Sequence, residues 1–365
     1  MTGEPTPAAR CRIALDAMGG DHAPQEIIKG ALLAVAESPV EILLVGKQEV
    51  IAEQLTRLGR SLPSSIEVVD AREVVDMDDS PLAPLRRKRN SSIRVCANLV
   101  AEGRADAFVS AGNTGATWTS AKAVMGMIEG VSRPALAAIL PSVNGHTLLL
   151  DVGANVDSKP NHLREFAVMG HFYAQMLFGV SEPRVGLLSI GEEEGKGNEL
   201  TKETFRVMKE TGLNFIGNAE GRDVFNGNCD VVVCDGFIGN VVIKASEALG
   251  EFVTKTLRKE MTSSLPRKIG GLLAGGAFND LKKRMDYSEY GGAPLLGVKG
   301  GGIVCHGRSN AKAIKNAVRV AREFAVNRID EKIRAKINDL HSREHDSAVL
   351  AALVAAGNGD APETE

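Results

Sequence analysis

Short apolar runs alternate with helix-length amphipathic stretches along most of the chain. Residues 12–15, 41–45, 66–69, 106–110, 147–150, 184–189 and 230–234 are β-branched or leucine-rich and of strand length. Between and after them, the spacing of apolar positions predicts helices over 24–36, 91–102, 161–178, 199–210, 240–259 and 309–336. Pro24 falls early in the first of these, where a missing N–H costs nothing. Strands that alternate with helices imply parallel pairing through helical crossovers, and so an α/β fold.

Two regions break this rhythm. Residues 261–286 interrupt a helical pattern with Pro266 and the pairs Gly270-Gly271 and Gly275-Gly276, and carry Arg267, Lys268, Lys282, Lys283 and Arg284 among apolar Ile269, Leu272, Leu273, Phe278, Leu281 and Met285. They read as a projecting helical tip. The last residues are alanine-rich and then rich in Gly, Asp, Pro and Glu, which predicts a frayed helix end and a flexible tail. The expected organisation is one α/β/α domain over 11–341 containing the tip, with flexible tails at 1–10 and 342–365.

Several strands run directly into glycine-framed polar turns: SAGNTGAT after residue 109, DVGANVD after 150, SIGEEEGKGNEL after 188 and CDGFIGN after 233. Glycine permits positive φ and close approach of backbone to a ligand, and unpaired N–H groups at the following helix start favour anions. In an open, largely parallel sheet such turns gather along one edge. The four are therefore expected to line one cleft, with DAMGGDHAP after residue 15 as a fifth candidate wall.

Composition narrows the partners. The chain has 365 residues, 44% hydrophobic and 24% charged, with 43 Lys plus Arg against 46 Asp plus Glu. A net charge of -3, 4% aromatic content and one Trp give no basis for nucleic-acid binding. Five cysteines without CxxC or zinc-type spacing suit a reduced, cytoplasmic compartment. The first residues lack an apolar signal core, and no run reaches the roughly 20 apolar residues a membrane span requires.

The polar residues of the turns admit two readings each. Lys196, between glycines and after three glutamates, either reaches a phosphate or a developing oxyanion, or is a solvated cation paired with a neighbour. Asn240 either caps the helix at 240–259 or donates to a carbonyl oxygen that turns negative during acyl transfer. Asp235 orients its turn or serves as a base. His22 and His306 are acid–base candidates or turn-fixing residues. The cluster Arg86, Arg87, Lys88 and Arg89 steers an anion, or is a solvated charge run. Walker, HExxH and GxSxG patterns are missing, so neither a nucleotide loop, a metal site nor a covalent serine is indicated, and Cys234 reads as a buried thiol.

The motifs IALDAMGGDHAP, RRKRNSS, SAGNTGA, RPALA, DVGANVD, GNELTKETF, NFIGNAEGRD, DGFIGNVVIK, YGGAPLLGVKGG and HGRSN occur in one order over residues 12–326. In these the chain resembles the acyl-ACP:phosphate acyltransferase family of bacterial phospholipid synthesis. The resemblance implies a homodimeric three-layer α/β/α fold with a largely parallel sheet, akin to phosphotransacetylases and isocitrate-type dehydrogenases. It implies a reaction in which inorganic phosphate attacks the thioester of a long-chain acyl carrier protein, with no cofactor and no metal. The acyl phosphate then serves glycerol-3-phosphate acylation, which makes a membrane glycerol-3-phosphate acyltransferase a candidate further partner.

On this reading Ser110, Gly112, Asn113, Thr114 and Gly115, with Asp16, His22 and Asp235, hold phosphate or substrate, while Lys196 and Asn240 stabilise the reacting oxygen. Arg86 to Arg89, Arg267, Lys268, Leu272, Lys282 and Lys283 are expected to dock the acidic carrier or an anionic membrane surface, giving a cytoplasmic, peripherally membrane-associated protein. A dimer-interface helix pair is the competing reading of the tip. A short-chain phosphotransacylase using coenzyme A is the rival enzyme, and a non-catalytic scaffold the rival class. A decarboxylating dehydrogenase is disfavoured by the missing GxGxxG.

Overall fold

The computed structural model describes residues 11–278, 280 and 289–357. Its first half runs β1 Cys11–Asp16, α1 Gln25–Glu37, β2 Val40–Gly46, α2 Gln48–Leu58, β3 Ile66–Asp70, α3 Ala83–Arg86, α4 Ser92–Ala101, β4 Ala107–Ser110 and α5 Thr114–Ser120. A π-helical turn, Ala121–Met125, leads to β5 Ala135–Ser142, β6 Gly145–Leu150, α6 Pro160–Phe178, β7 Val185–Leu188, α7 Glu199–Lys209 and β8 Phe215–Ala219. The chain continues through α8 Asp223–Asn226, β9 Val231–Val233, α9 Gly236–Met261, α10 Leu265–Leu273, β10 Ala293–Leu296, β11 Gly301–Val304, α11 Ala311–Val326 and α12 Ile329–Gly357.

The strands form one 11-stranded sheet in the order β3-β2-β1-β4-β11-β10-β5-β6-β9-β7-β8. Its faces follow from alternation along each strand. Ile13 and Leu15 of β1 face a core shared with Ile28 of α1, Phe166 and Tyr173 of α6 and Phe324 of α11. Ala14 faces the other way, toward Cys96 and Leu99 of α4. Beyond the middle of the sheet that second face is covered by Val224 of α8 and by Val242 and Ile243 of α9. Each fully buried large apolar side chain contributes about 2 kcal/mol, so helices are held on both faces and the three-layer α/β/α class stands.

The pairing departs from the sequence-based expectation at the centre. β10 pairs antiparallel with both β11 and β5, and β5 antiparallel with β6. Strands β1 to β4 and β11 therefore run one way, and β6, β7, β8 and β9 the other. The expected single row of strand ends becomes two groups of turns on opposite edges of the sheet. Helix α9, which starts at the second group, reaches back far enough for its Glu251 to feel Arg308 of the β11 turn in the first.

Every strand expected from an apolar run is present, while β5, β8, β10 and β11 were not expected. The predicted helix over 309–336 is two helices, broken at Arg328 with φ 52. Helix α9 begins at Gly236 with Asp235 as its N-cap, so Asn240 lies a turn inside the helix and is not its cap. The expected tail from 342 carries helix to Gly357, and 358–365 with 1–10 lie outside the described residues. Within the expected tip, α10 buries no residue, and Lys282 and Lys283 lie outside the described residues.

Candidate functional site

The first group of turns closes around Asp16, at the end of β1. Its carboxylate accepts the Ser110 hydroxyl at 2.7 Å and the Met18 amide at 3.0 Å, and Ser110 Oγ in turn accepts the Gly112 amide at 3.1 Å. A Cβ on Gly19 would stand 2.6 Å from both Asp16 Oδ2 and the Gly112 nitrogen. A Cβ on Gly20, at φ +103, would stand 3.0 Å from the Gly307 carbonyl. Glycine at these positions lets the turns after β1, β4 and β11 interlock backbone to backbone.

Asp16 is completely buried, and burial pushes its carboxyl up despite opposing hydrogen bonds from Ser92, Ser110 and nearby amides. In this structure its carboxylate faces the turns and not solvent, so it stands behind the expected ligand-binding surface and not on it. It holds the turns that form that surface.

Asn113 is also committed. Its Oδ1 accepts the Ala116 amide at 2.9 Å as the N-cap of α5, and its Nδ2 donates to the carbonyls of Met77 at 2.9 Å and Asp79 at 3.1 Å. Lys88 ties down the same loop, donating to Val74 O at 2.7 Å and pairing with Asp76 and Asp79. Its hydrogen bond to Asp79 leads the effects that hold the lysine above its ordinary pKa. Ser110 and Asn113 are thus engaged inside the protein, and Lys88, partly exposed, is paired with Asp76 and Asp79.

Thr114 remains open. It is exposed, and among the described residues nothing engages its hydroxyl or the amides of Thr114 and Gly115. Gly115 packs its Cα against Pro81, where a Cβ would come within 2.8 Å. Helix α3 packs on α5, setting exposed Arg86 and Arg87 beside this turn, while Arg89 donates to Leu85 O. His22 is exposed on the neighbouring β1 turn.

The second group repeats the plan around Asp151, directly after β6. Its carboxylate accepts the amides of Leu136 at 2.9 Å, Ala154 at 3.1 Å and Asn155 at 2.7 Å, and the Asn155 side chain at 2.9 Å. Burial raises this carboxyl as well. A Cβ on Gly239 would collide with the Asp151 carbonyl, so the first turn of α9 lies flat on this loop. Asp235 fixes the same junction, accepting the Phe237 amide at 2.9 Å and the Ser158 amide at 3.0 Å.

Strand β9 lies between β6 and β7, so Asn240 and Lys196 rise from neighbouring strand ends. Both are exposed. Glu192 pairs with Arg222 and Glu194 with Lys209, leaving Lys196 without an ion pair among the described residues. The Asn240 amide has no hydrogen-bond partner there either, and stands against Gly153, whose Cβ would be 3.6 Å away. Helix α9, about 39 Å long at 1.5 Å per residue, runs from this group toward the first. Lys255, and to a smaller degree Arg308 of the β11 turn, lower the Glu251 carboxyl on it.

Asp151 is the organising residue that sequence reasoning passed over. The signal was present: LLLD at 148–151 repeats the LD ending of IALD at 13–16. Ser189 and Asn218, also passed over, lie under the Lys196 loop and carried no signal of their own.

Residues 11–332 match the family described as Fatty acid synthesis protein. A phosphate acyltransferase from Pelotomaculum thermopropionicum is 52% identical over 330 residues, covering 90% of this chain and 96% of the relative. One from Aquifex aeolicus is 54% identical over 313 residues, covering 86% and 93%. A solved phosphotransacetylase from Streptococcus pyogenes aligns with a TM-score of 0.62 at 18% identity, over 87% of this chain and 94% of that one, a likeness of fold.

Proposed function

The chain belongs to the phosphate acyltransferase family and is an acyltransferase of lipid biosynthesis, and from that premise we propose that it transfers a long-chain fatty acyl group from acyl carrier protein to inorganic phosphate. The product is an acyl phosphate that supplies glycerol-3-phosphate acylation. A phosphate oxygen adds to the thioester carbonyl carbon to give a tetrahedral oxyanion, which collapses with loss of the carbon–sulfur bond, and the departing thiolate takes the proton that hydrogen phosphate gives up. Phosphate is already a competent nucleophile, so the protein need only bind it, aim it and stabilise the tetrahedral oxyanion.

The observation that carries this reading is the pair Lys196 and Asn240. Each presents an uncommitted donor on neighbouring strand ends, while most polar groups around them are tied into the turns. Thr114, the Gly115 amide and the Gly112 turn supply the proposed phosphate cradle, with His22 at its margin. Arg86, Arg87 and Arg89 give an acidic carrier protein a positive approach to it.

The chain is proposed to work as a homodimer. Beyond Gly239 no residue of α9 is buried, and Phe237, Val241, Leu249 and Phe252 expose apolar surface that a second copy would cover. In α10, Leu265, Ile269, Leu272 and Leu273 are exposed beside Lys268 and Arg267, which supports contact with an anionic membrane surface. No helix among the described residues is long and apolar enough to cross a membrane.

Acyl carrier protein and coenzyme A donors compared in one phosphate-dependent assay test the assignment. Faster turnover with the carrier protein is expected. Turnover with a short acyl-CoA alone would support the coenzyme A reading, and phosphate-independent retention of the thioester a scaffold.

A further inference from the structure

Under the loop that carries Lys196, two buried polar atoms have no hydrogen-bond partner among the described residues. Asn218, 8% exposed on β8, leaves its Oδ1 without a partner, although its Nδ2 donates to the Glu193 carbonyl at 2.8 Å. Ser189, just past β7, leaves its hydroxyl without one. The two are neighbours: Leu187 is in register with Asn218, and the Ser189 amide donates to the Ala219 carbonyl at 2.8 Å. Gly197, at φ +101, closes over them, and a Cβ there would stand 2.8 Å from Ser189 Oγ.

A buried acceptor and a buried hydroxyl left unbonded are each costly. Together they match one chemical group. A secondary amide donates its N–H to a carbonyl oxygen such as Asn218 Oδ1 and accepts from a hydroxyl such as that of Ser189. The cover over them is light: residues 192–195 are all exposed, and the ion pairs at its edges join side chains that are more than half exposed. Such pairs hold weakly.

We propose that Ser189 and Asn218 form the subsite for the amide of the donor's thioester arm, entered when the loop of residues 190–198 lifts. This rests on the reading that an acyl thioester is the donor. In a cysteamine-type arm the amide nitrogen is two carbons from the thioester sulfur, so docking it here holds the thioester beside Lys196. Ile190, 81% exposed at the loop's start, offers apolar cover for the intervening carbons. Carrier protein and coenzyme A bear the same arm, so the subsite selects thioesters of this class over simple alkyl thioesters.

The test compares two donors of one fatty acid, an N-acetylcysteamine thioester and an S-ethyl thioester, with phosphate as acceptor. Wild type should prefer the amide-bearing donor in kcat/KM, and Ser189→Ala and Asn218→Ala should each cut that preference about tenfold. Carrier-protein and coenzyme A thioesters should lose alike. An undiminished preference in both variants overturns the proposal. Ser189→Ala removes a hydroxyl that bonds nothing, so its urea midpoint should not fall, and a clear fall would mark a structural role instead. Should wild type show no phosphate-dependent turnover, the functional reading fails. Binding of the N-acetylcysteamine thioester by calorimetry then decides the subsite, and equal affinity of wild type and Ser189→Ala overturns it.

Discussion

Replacing Asn113 with alanine separates a ligand-binding residue from one that builds the site. Its side chain caps α5 through Ala116 and holds the 77–79 loop through two carbonyls, while only 8% of the residue is exposed. Loss of the cap costs about 1 kcal/mol, and each loop bond about another 1 kcal/mol. Asn113→Ala should therefore destabilise the protein by about 3 kcal/mol. Asn113→Ser keeps a capping oxygen and should lose about 2 kcal/mol. Asn113→Asp turns a carboxylate toward two carbonyl oxygens and should be no better than alanine.

Urea unfolding followed by circular dichroism gives the ranking, and limited proteolysis near Met77, 52% exposed, reports release of the loop. Asn113→Ala within about 0.5 kcal/mol of wild type, together with a raised KM for phosphate, would refute the structural assignment. It would return Asn113 to the phosphate cradle.

Lys196→Ala and Asn240→Ala should each lower turnover roughly 10²-fold or more if they act on the transition state, with little change in stability because neither side chain is bonded; near-normal turnover in steady-state kinetics removes that residue from the mechanism. For pH dependence, burial pushes the Asp230 carboxyl up, but the hydrogen bonds and charge of Arg184 outweigh it and leave it below its ordinary value. A depressed carboxyl contributes stability above the unfolded value of about 3.9 and loses it as pH falls through the folded value. Between about pH 7 and pH 3 the urea midpoint should therefore drop further for wild type than for Asp230→Asn, and parallel curves would contradict the assignment. Leu272→Glu, at a site 82% exposed, should reduce sedimentation with anionic vesicles, and unchanged binding would remove α10 from the membrane contact.

What the sequence disclosed depended on whether local composition carried the signal. Apolar runs and helical spacing gave most strands and helices because burial on both faces demands them. Strand β11 was hidden because Gly301 and Gly302 are there to admit Ala107, Phe108 and Phe324, not to promote a strand. Strands β10 and β8 were obscured by Pro294 and Gly217 within them. The antiparallel β10 and β5 reverse the sheet, and no local pattern encodes strand direction. That reversal divided the expected row of turns in two.

At the site, the polar turns were legible, but the bonds that occupy them were not. Asn113 finds its partners in the loop at 74–79, remote in sequence, and Lys88 ties down the same loop from nearby, without any motif that links them. The Asp235 cap was missed in favour of Asn240 because α9 starts within the glycine-framed turn itself. Buried aspartates at 16 and 151 look, as letters, like any ligand-facing carboxylate. Only their burial shows that they hold backbone instead.

The central claim is that orthophosphate itself attacks the thioester. Phosphate labelled with heavy oxygen at all four positions, supplied with long-chain acyl carrier protein, tests it by mass spectrometry of the product. An acyl phosphate that retains every labelled oxygen is predicted. Release of free fatty acid carrying solvent oxygen, with the phosphate left unconsumed, would contradict it.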